Sequence, residues 1–73
     1  MTSNTILELI SEALEVEIKN ESIQLDSLPE YDSMGILMIM EIFEQHQIDL
    51  FPEDFNEVHQ VSELVKIVQN KIN

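Results

Sequence analysis

Three stretches of this chain repeat apolar residues at helical spacing, and only one glycine and two prolines are present to interrupt them. That pattern points to an all-α fold: a small bundle of three main helices, with one short helix before the last. The first helix is expected to start near Ser3–Thr5, where each residue suits an N-cap and Thr5 and Glu8 stand at capping-box spacing. Ile6, Ile10, Ala13 and Leu14 fall on one face, while Glu8, Glu12, Glu15 and Lys19 form the opposite stripe. Glu17 would fall on the buried face, so this helix should end near Val16 or soon after.

The second helix is expected from Met34 to about His46, with Ser33 as its N-cap. Ile36, Ile39, Met40 and Phe43 give the core spacing i, i+3, i+4, i+7. Between Ile36 and Phe43 only Glu41 is polar. A helix this apolar is either central or shows part of its surface to a partner. Met34, Met38, Glu41 and Gln45 share the stripe opposite the core, so Met38 should be exposed and Ile39 buried.

Between these helices runs a long connection from Glu17 to Asp32, in which Ile18, Ile23, Leu25 and Leu28 are candidate anchors. Loops of this length are usually functional, and Pro29 argues against a helix just before Tyr31. After His46, Pro52-Glu53-Asp54 reads as the start of a short helical turn held by Phe51 and Phe55, because proline suits the first helical position and acids favour an N-terminus. The last helix should run from Val61 to Ile72, with Val61, Leu64, Val65, Val68 and Ile72 on one face and Gln60 or Ser62 as its N-cap.

Length and charge narrow the function. The 73 residues suit one domain, residues 1–73, and such a domain buries only roughly 60% of its unfolded surface. Three lysines against fifteen acids give a formal net charge of −12. That field repels nucleic acid and anionic membranes and attracts basic protein surfaces. Acidity alone would suit a disordered chain, but 44% of the residues are hydrophobic and they are periodic. There is no cysteine, hence no disulfide and no thiol chemistry of the chain's own. Met1-Thr2-Ser3-Asn4 carries no basic region and leads into no long apolar run. The expectation is a monomeric cytoplasmic protein that does not insert into membranes.

The second helix opens on Tyr31-Asp32-Ser33-Met34-Gly35. This segment resembles the Asp-Ser-Leu (or Asp-Ser-Met) motif of acyl carrier proteins, the small carriers whose serine takes a 4′-phosphopantetheine arm from coenzyme A. The stretch from Leu28 to Phe55 is similar to that family in order as well: motif, apolar helix, then a Phe-Pro-acid turn. A second Asp-Ser-Leu lies at Asp26-Ser27-Leu28. In the family the modified serine opens a helix of about three to four turns that leads by a short loop into the Pro-acid segment. Ser33 fits that layout. Ser27 does not, because Pro29 sits at the second position after it, followed by polar Glu30 and Asp32, and the apolar helical pattern begins only after Ser33.

The resemblance implies a non-catalytic carrier. Ser33 would hold the phosphopantetheine, whose thiol carries acyl or aminoacyl groups as thioesters. A phosphopantetheinyl transferase would install the arm, using magnesium. An acyl- or aminoacyl-activating enzyme would load it, and a downstream acyltransferase or synthase would receive the cargo, in biosynthesis of the fatty-acid or polyketide kind. A serine at a helix N-terminus suits this chemistry, since a phosphodiester there meets free N–H groups and the positive end of the helix dipole. Partner contact falls to Asp32, Met34, Met38, Glu41 and Glu44; methionine adapts to varied surfaces, and the acids are what basic partners of this family read. Leu37, Met40 and Phe43 are core residues by pattern, and Leu37 and Met40 are candidates to line an acyl pocket.

The departures are informative. Gly35 and Met38 stand where fatty-acid-type carriers usually place polar or acidic residues, which suggests a stand-alone carrier of a specialised pathway. Peptidyl carriers of nonribosomal synthesis more often have histidine before the serine; Asp32 speaks against that branch without closing it. An acidic adaptor or inhibitor module with no prosthetic group is the alternative from another class. No metal site is expected: His46 and His59 are far apart without cysteine partners, and Glu53, Asp54 and Glu57 lack an EF-hand loop.

Overall fold

Every expected helix forms, but the boundaries are set by contacts that lie outside the helices themselves. A computed structural model describes residues 1–72. Helix α1 spans Ser3–Leu14, α2 Ser33–Glu44 and α3 Val61–Ile72, with 3₁₀ turns at Leu25–Ser27 and Pro52–Phe55. No strand is present among the described residues, only an isolated antiparallel bridge between Gln24 and Gln60. The three helices surround one core in which Ile6, Ile10, Leu25, Ile39, Phe43, Val61, Leu64 and Val68 are fully buried. The Cα radius of gyration, 10.7 Å, matches the ~11 Å of a folded domain of this length, which settles the question of disorder raised by the charge.

Helix α1 is capped by Thr2 rather than by Ser3–Thr5: the Thr2 hydroxyl accepts from the Thr5 N–H at 3.2 Å. It stops at Leu14, two residues short of Val16, where Glu15 turns into the left-handed region at φ 56°. It buries Leu7 and Leu9 beside the expected Ile6, Ile10, Ala13 and Leu14. The wider face reflects its position against both other helices.

The long connection is pinned rather than loose. Ile18 is buried and its N–H donates to the Ser11 hydroxyl at 3.1 Å. Farther on, the Leu25 and Asp26 N–H groups donate to the His59 carbonyl at 2.7 and 3.2 Å. In return, the Val61 and Ser62 N–H groups donate to the carbonyls of Ile23 and Glu21 at 3.0 and 2.9 Å. The loop therefore satisfies donors that a helix N-terminus leaves without intrahelical partners. The Glu63 carboxylate takes the N–H groups of His59 and Gln60 at 2.8 and 2.7 Å, so Gln60, not Ser62, precedes the first turn of α3.

Four further expectations need correction. Asp32, not Ser33, caps α2, and Ser33 is its first helical residue. Leu37, read as core by pattern, is 53% exposed because the 3₁₀ turn at Pro52–Phe55 leaves that flank of α2 open. Phe51, read as an anchor beside Phe55, is also 53% exposed, whereas Phe55 is buried. The Phe51 ring lies under the Lys71 ammonium, 4.9 Å from centroid to Nζ. Ile72, at the end of α3, is 41% exposed. The α2 register is as expected: Ile39 is 0% and Met38 41% exposed.

Candidate functional site

The Asp32 carboxylate builds the N-terminus of α2. Its Oδ1 accepts from the Gly35 N–H at 2.9 Å, and its backbone carbonyl accepts from Ile36 at 2.9 Å. Ser33 stands at the first helical position, exposed. Its hydroxyl makes no hydrogen bond among the described residues, and as the first residue of α2 its N–H has no intrahelical acceptor. The cap holds the backbone while the serine oxygen stays free.

The competing serine is placed differently. Ser27 closes a 3₁₀ turn, and its hydroxyl donates to the Gln24 carbonyl at 2.8 Å. Its neighbour Leu25 is fully buried, and Asp26 turns outward to His59. Of the two Asp-Ser pairs, only Asp32-Ser33 starts a long helix.

An open apolar groove of about 350 Å³ begins at Ser33 and runs between α2 and the Pro52–Phe55 turn, with Ile36, Leu37, Met40, Phe55 and Asn56 along it. The structure thus brings Leu37 and Met40 to the same cleft as Ser33, while Phe43 is sealed in the core. On the other side of the α2 surface, Met34 is 64% exposed beside Met38, and Glu41 between the two sides and Glu44 on the groove side are exposed as well. At 100° per residue, Ser33, Leu37 and Glu44 lie toward the groove, and Met34 and Met38 toward α1.

Among the described residues, no lysine lines this groove. Lys19 pairs with Glu17 at 3.3 Å and Lys71 with Asp54 at 3.1 Å; Lys66 acts on Glu63 of its own helix. Burial acts to raise the Asp54 carboxyl, but the Phe51 N–H and Lys71 outweigh it and hold the group below the usual carboxylate range. The Gln60 and His59 N–H groups likewise hold Glu63 low. Burial, then the Asp26 charge, raises the Tyr31 phenol, whose oxygen is enclosed with no hydrogen-bond partner.

The contact between His59 and Asp26 was not visible in the pattern. His59 Nδ1 lies 2.8 Å from Asp26 Oδ2, and this hydrogen bond raises the imidazole above its ordinary value. Both residues look like plain surface polar residues in the sequence. The only local signal was Asp26 in the second Asp-Ser-Leu, which pointed elsewhere. Gly35 is similar: its absence of a side chain reads as a missing partner contact, yet it is a buried packing site.

Comparison of the chain with protein-family models, with curated proteins and with solved structures returned no match. Among the described residues, no three His, Cys, Asp or Glu side chains group so as to hold a metal ion, and no helix is long and apolar enough to cross a membrane.

Proposed function

We propose that this chain is a stand-alone acyl carrier protein that holds acyl or aminoacyl groups on a 4′-phosphopantetheine arm attached to Ser33. The observation that carries this reading is the position of one hydroxyl. It is exposed and free of hydrogen bonds at the start of α2, and an apolar groove opens beside it.

The residues present fit the group. The phosphodiester would meet the free N–H groups at the first turn of α2, which is an anion-binding environment. Asp32 does not compete for that space as a second function, since its Oδ1 is engaged by Gly35. When attached, the arm supplies a thiol that carries the cargo as a thioester. The protein itself contributes an address, a fixed attachment point and an apolar cleft lined by Leu37 and Met40. Neither histidine bonds to the Ser33 hydroxyl, and the neighbouring Asp32 carboxylate is occupied as a cap. Activation of that oxygen therefore falls to the phosphopantetheinyl transferase. Loading falls to an acyl- or aminoacyl-activating enzyme and delivery to an acyltransferase or synthase. These partners dock on Met34, Met38, Glu41 and Glu44 with salt-sensitive steering.

The exposed methionines and the net charge of −12 also favour a second reading, an acidic adaptor without a prosthetic group. Intact mass separates the two. Incubation with a promiscuous phosphopantetheinyl transferase, coenzyme A and magnesium should add about 340 Da to the wild type and to Ser27→Ala, and nothing to Ser33→Ala. No gain in the wild type, with a transferase that modifies a control carrier, would leave the adaptor.

A further inference from the structure

The Pro52–Phe55 turn forms one wall of the groove that begins at Ser33, and Ile36, Leu37 and Met40 of α2 form the other. The turn is a slight wall. Phe55 roots it in the core, but Phe51 and Pro52 stay exposed. An apolar groove open to water is driven to close, so a wall this short needs a restraint from outside the groove. One side chain supplies it. A single carboxylate oxygen, Asp54 Oδ2, accepts from the Phe51 N–H at 2.8 Å and from the Lys71 ammonium at 3.1 Å. The same ammonium lies 4.9 Å from the centroid of the Phe51 ring. Lys71 thus grips the turn twice, from the last turn of α3. The grip is sheltered: the side chains of Lys71 and Asp54 are 26% and 24% exposed, against 76% and 71% for Lys19 and Glu17. Salt and water screen such a pair less than an ordinary surface pair.

We propose that Lys71 is a positioning residue for the groove beside Ser33: by tying Phe51 and Asp54 to the end of α3, it holds the outer wall in place and keeps the groove ready for a neutral apolar chain. Lys71 touches nothing in the groove itself and acts only through the turn. Its effect is preorganisation. With the wall fixed, an entering chain does not have to order the turn or push it off Leu37; with the catch released, it has to do both, and affinity falls by that amount. The ammonium suits the task because it serves two acceptors of different kinds, a carboxylate oxygen and an aromatic face. The inference deepens the carrier reading, on which the identification of the groove as a cargo site rests.

The test is titration of the uniformly ¹⁵N-labelled, unmodified chain with 1-octanol, an uncharged apolar probe, followed by amide chemical shifts. The wild type should give saturable shifts centred on Leu37, Met40 and Phe55. Lys71→Met keeps most of the stem and removes the charge, and Asp54→Asn breaks the pair from the other end while it can still accept from the Phe51 N–H. Each should bind octanol about threefold to tenfold more weakly, the effect of losing one sheltered pair and, for Lys71→Met, the ring contact as well. Lys71→Arg keeps both contacts and should stay within about twofold of wild type. Lys66→Met makes the same change of charge on the same helix without touching the turn, and should leave octanol binding unchanged. Amide spectra of the free variants verify that each is folded. No saturable shifts in the wild type, shifts centred away from the groove, wild-type affinity in Lys71→Met and Asp54→Asn, an equal loss in Lys66→Met, or no rescue by arginine would each overturn the proposal. Mass analysis of Ser33 modification tests the carrier reading separately. A chain that takes the arm but binds octanol equally well with and without Lys71 defeats only the role of Lys71. A chain that refuses the arm yet loses octanol binding in Lys71→Met defeats only the carrier.

Discussion

The Glu30 carbonyl oxygen occupies the space that a Cβ on Gly35 would need. On the other side, the same Cβ would meet Leu14 Cδ2 at 2.8 Å. The chain between Pro29 and Asp32 can therefore lie directly on the first turn of α2, which fixes where that helix begins. Elsewhere in a helix, glycine to alanine stabilises by about 1 kcal/mol. Here Gly35→Ala should reverse the sign and destabilise by about 1–3 kcal/mol, because backbone must move to admit the methyl group. Urea denaturation measures the sign directly, and a stabilised variant would mean that the loop does not press on α2.

The division of labour between Asp32 and Ser33 can be separated by stability. Asp32→Ala removes the cap to Gly35 and should cost about 1 kcal/mol, while Asp32→Asn or Asp32→Ser should retain most of it. Ser33→Ala should lie within about 0.5 kcal/mol of wild type, since its hydroxyl supports nothing in the fold. If Ser33→Ala were the costlier change, Ser33 would be the cap.

The His59–Asp26 pair ties the long connection to the start of α3 and gives stability a pH dependence. The folded imidazole is raised above its unfolded value, chiefly by its hydrogen bond to Asp26. The folded state thus holds the proton more tightly, so the contribution is full below the ordinary imidazole range and is lost as pH rises through the raised value. Thermal midpoints followed by circular dichroism should fall across that window in the wild type, and fall less in Asp26→Asn. The comparison cancels the general repulsion of an acidic chain. Parallel profiles for the two proteins would show that the pair carries no linkage.

Met38 and Ile39 are neighbours in sequence with opposite environments. Met38→Glu should leave helicity intact and change stability by less than about 0.5 kcal/mol. Ile39→Glu places an unpaired charge in the core and should unfold the domain. In the carrier reading, Met38→Glu should also slow modification by the transferase without loss of fold, which a rate measurement by mass can follow.

Much of this protein was legible in order along the chain. Helix faces follow from spacing, because a side chain's direction on a helix depends only on its position in the turn. That is why Ile39, Phe43, Leu64 and Val68 could be assigned to the core, and Met38 to the surface, before any coordinates. The preference for Ser33 over Ser27 came from the same source, since an apolar helical pattern starts after only one of them. Leu37 shows the limit of the rule: spacing tells which way a side chain points, not whether another element arrives to cover it.

The tertiary structure decided everything that joins distant segments. The Asp26–His59 contact, the loop carbonyls that receive the N–H groups of Val61 and Ser62, the Lys71–Asp54 pair and the tight fit at Gly35 all depend on where folded elements meet. Hydrophobic periodicity is local and survives in any isolated stretch of chain. A hydrogen bond between residues far apart in sequence exists only once packing has fixed both ends, so no local pattern could announce it.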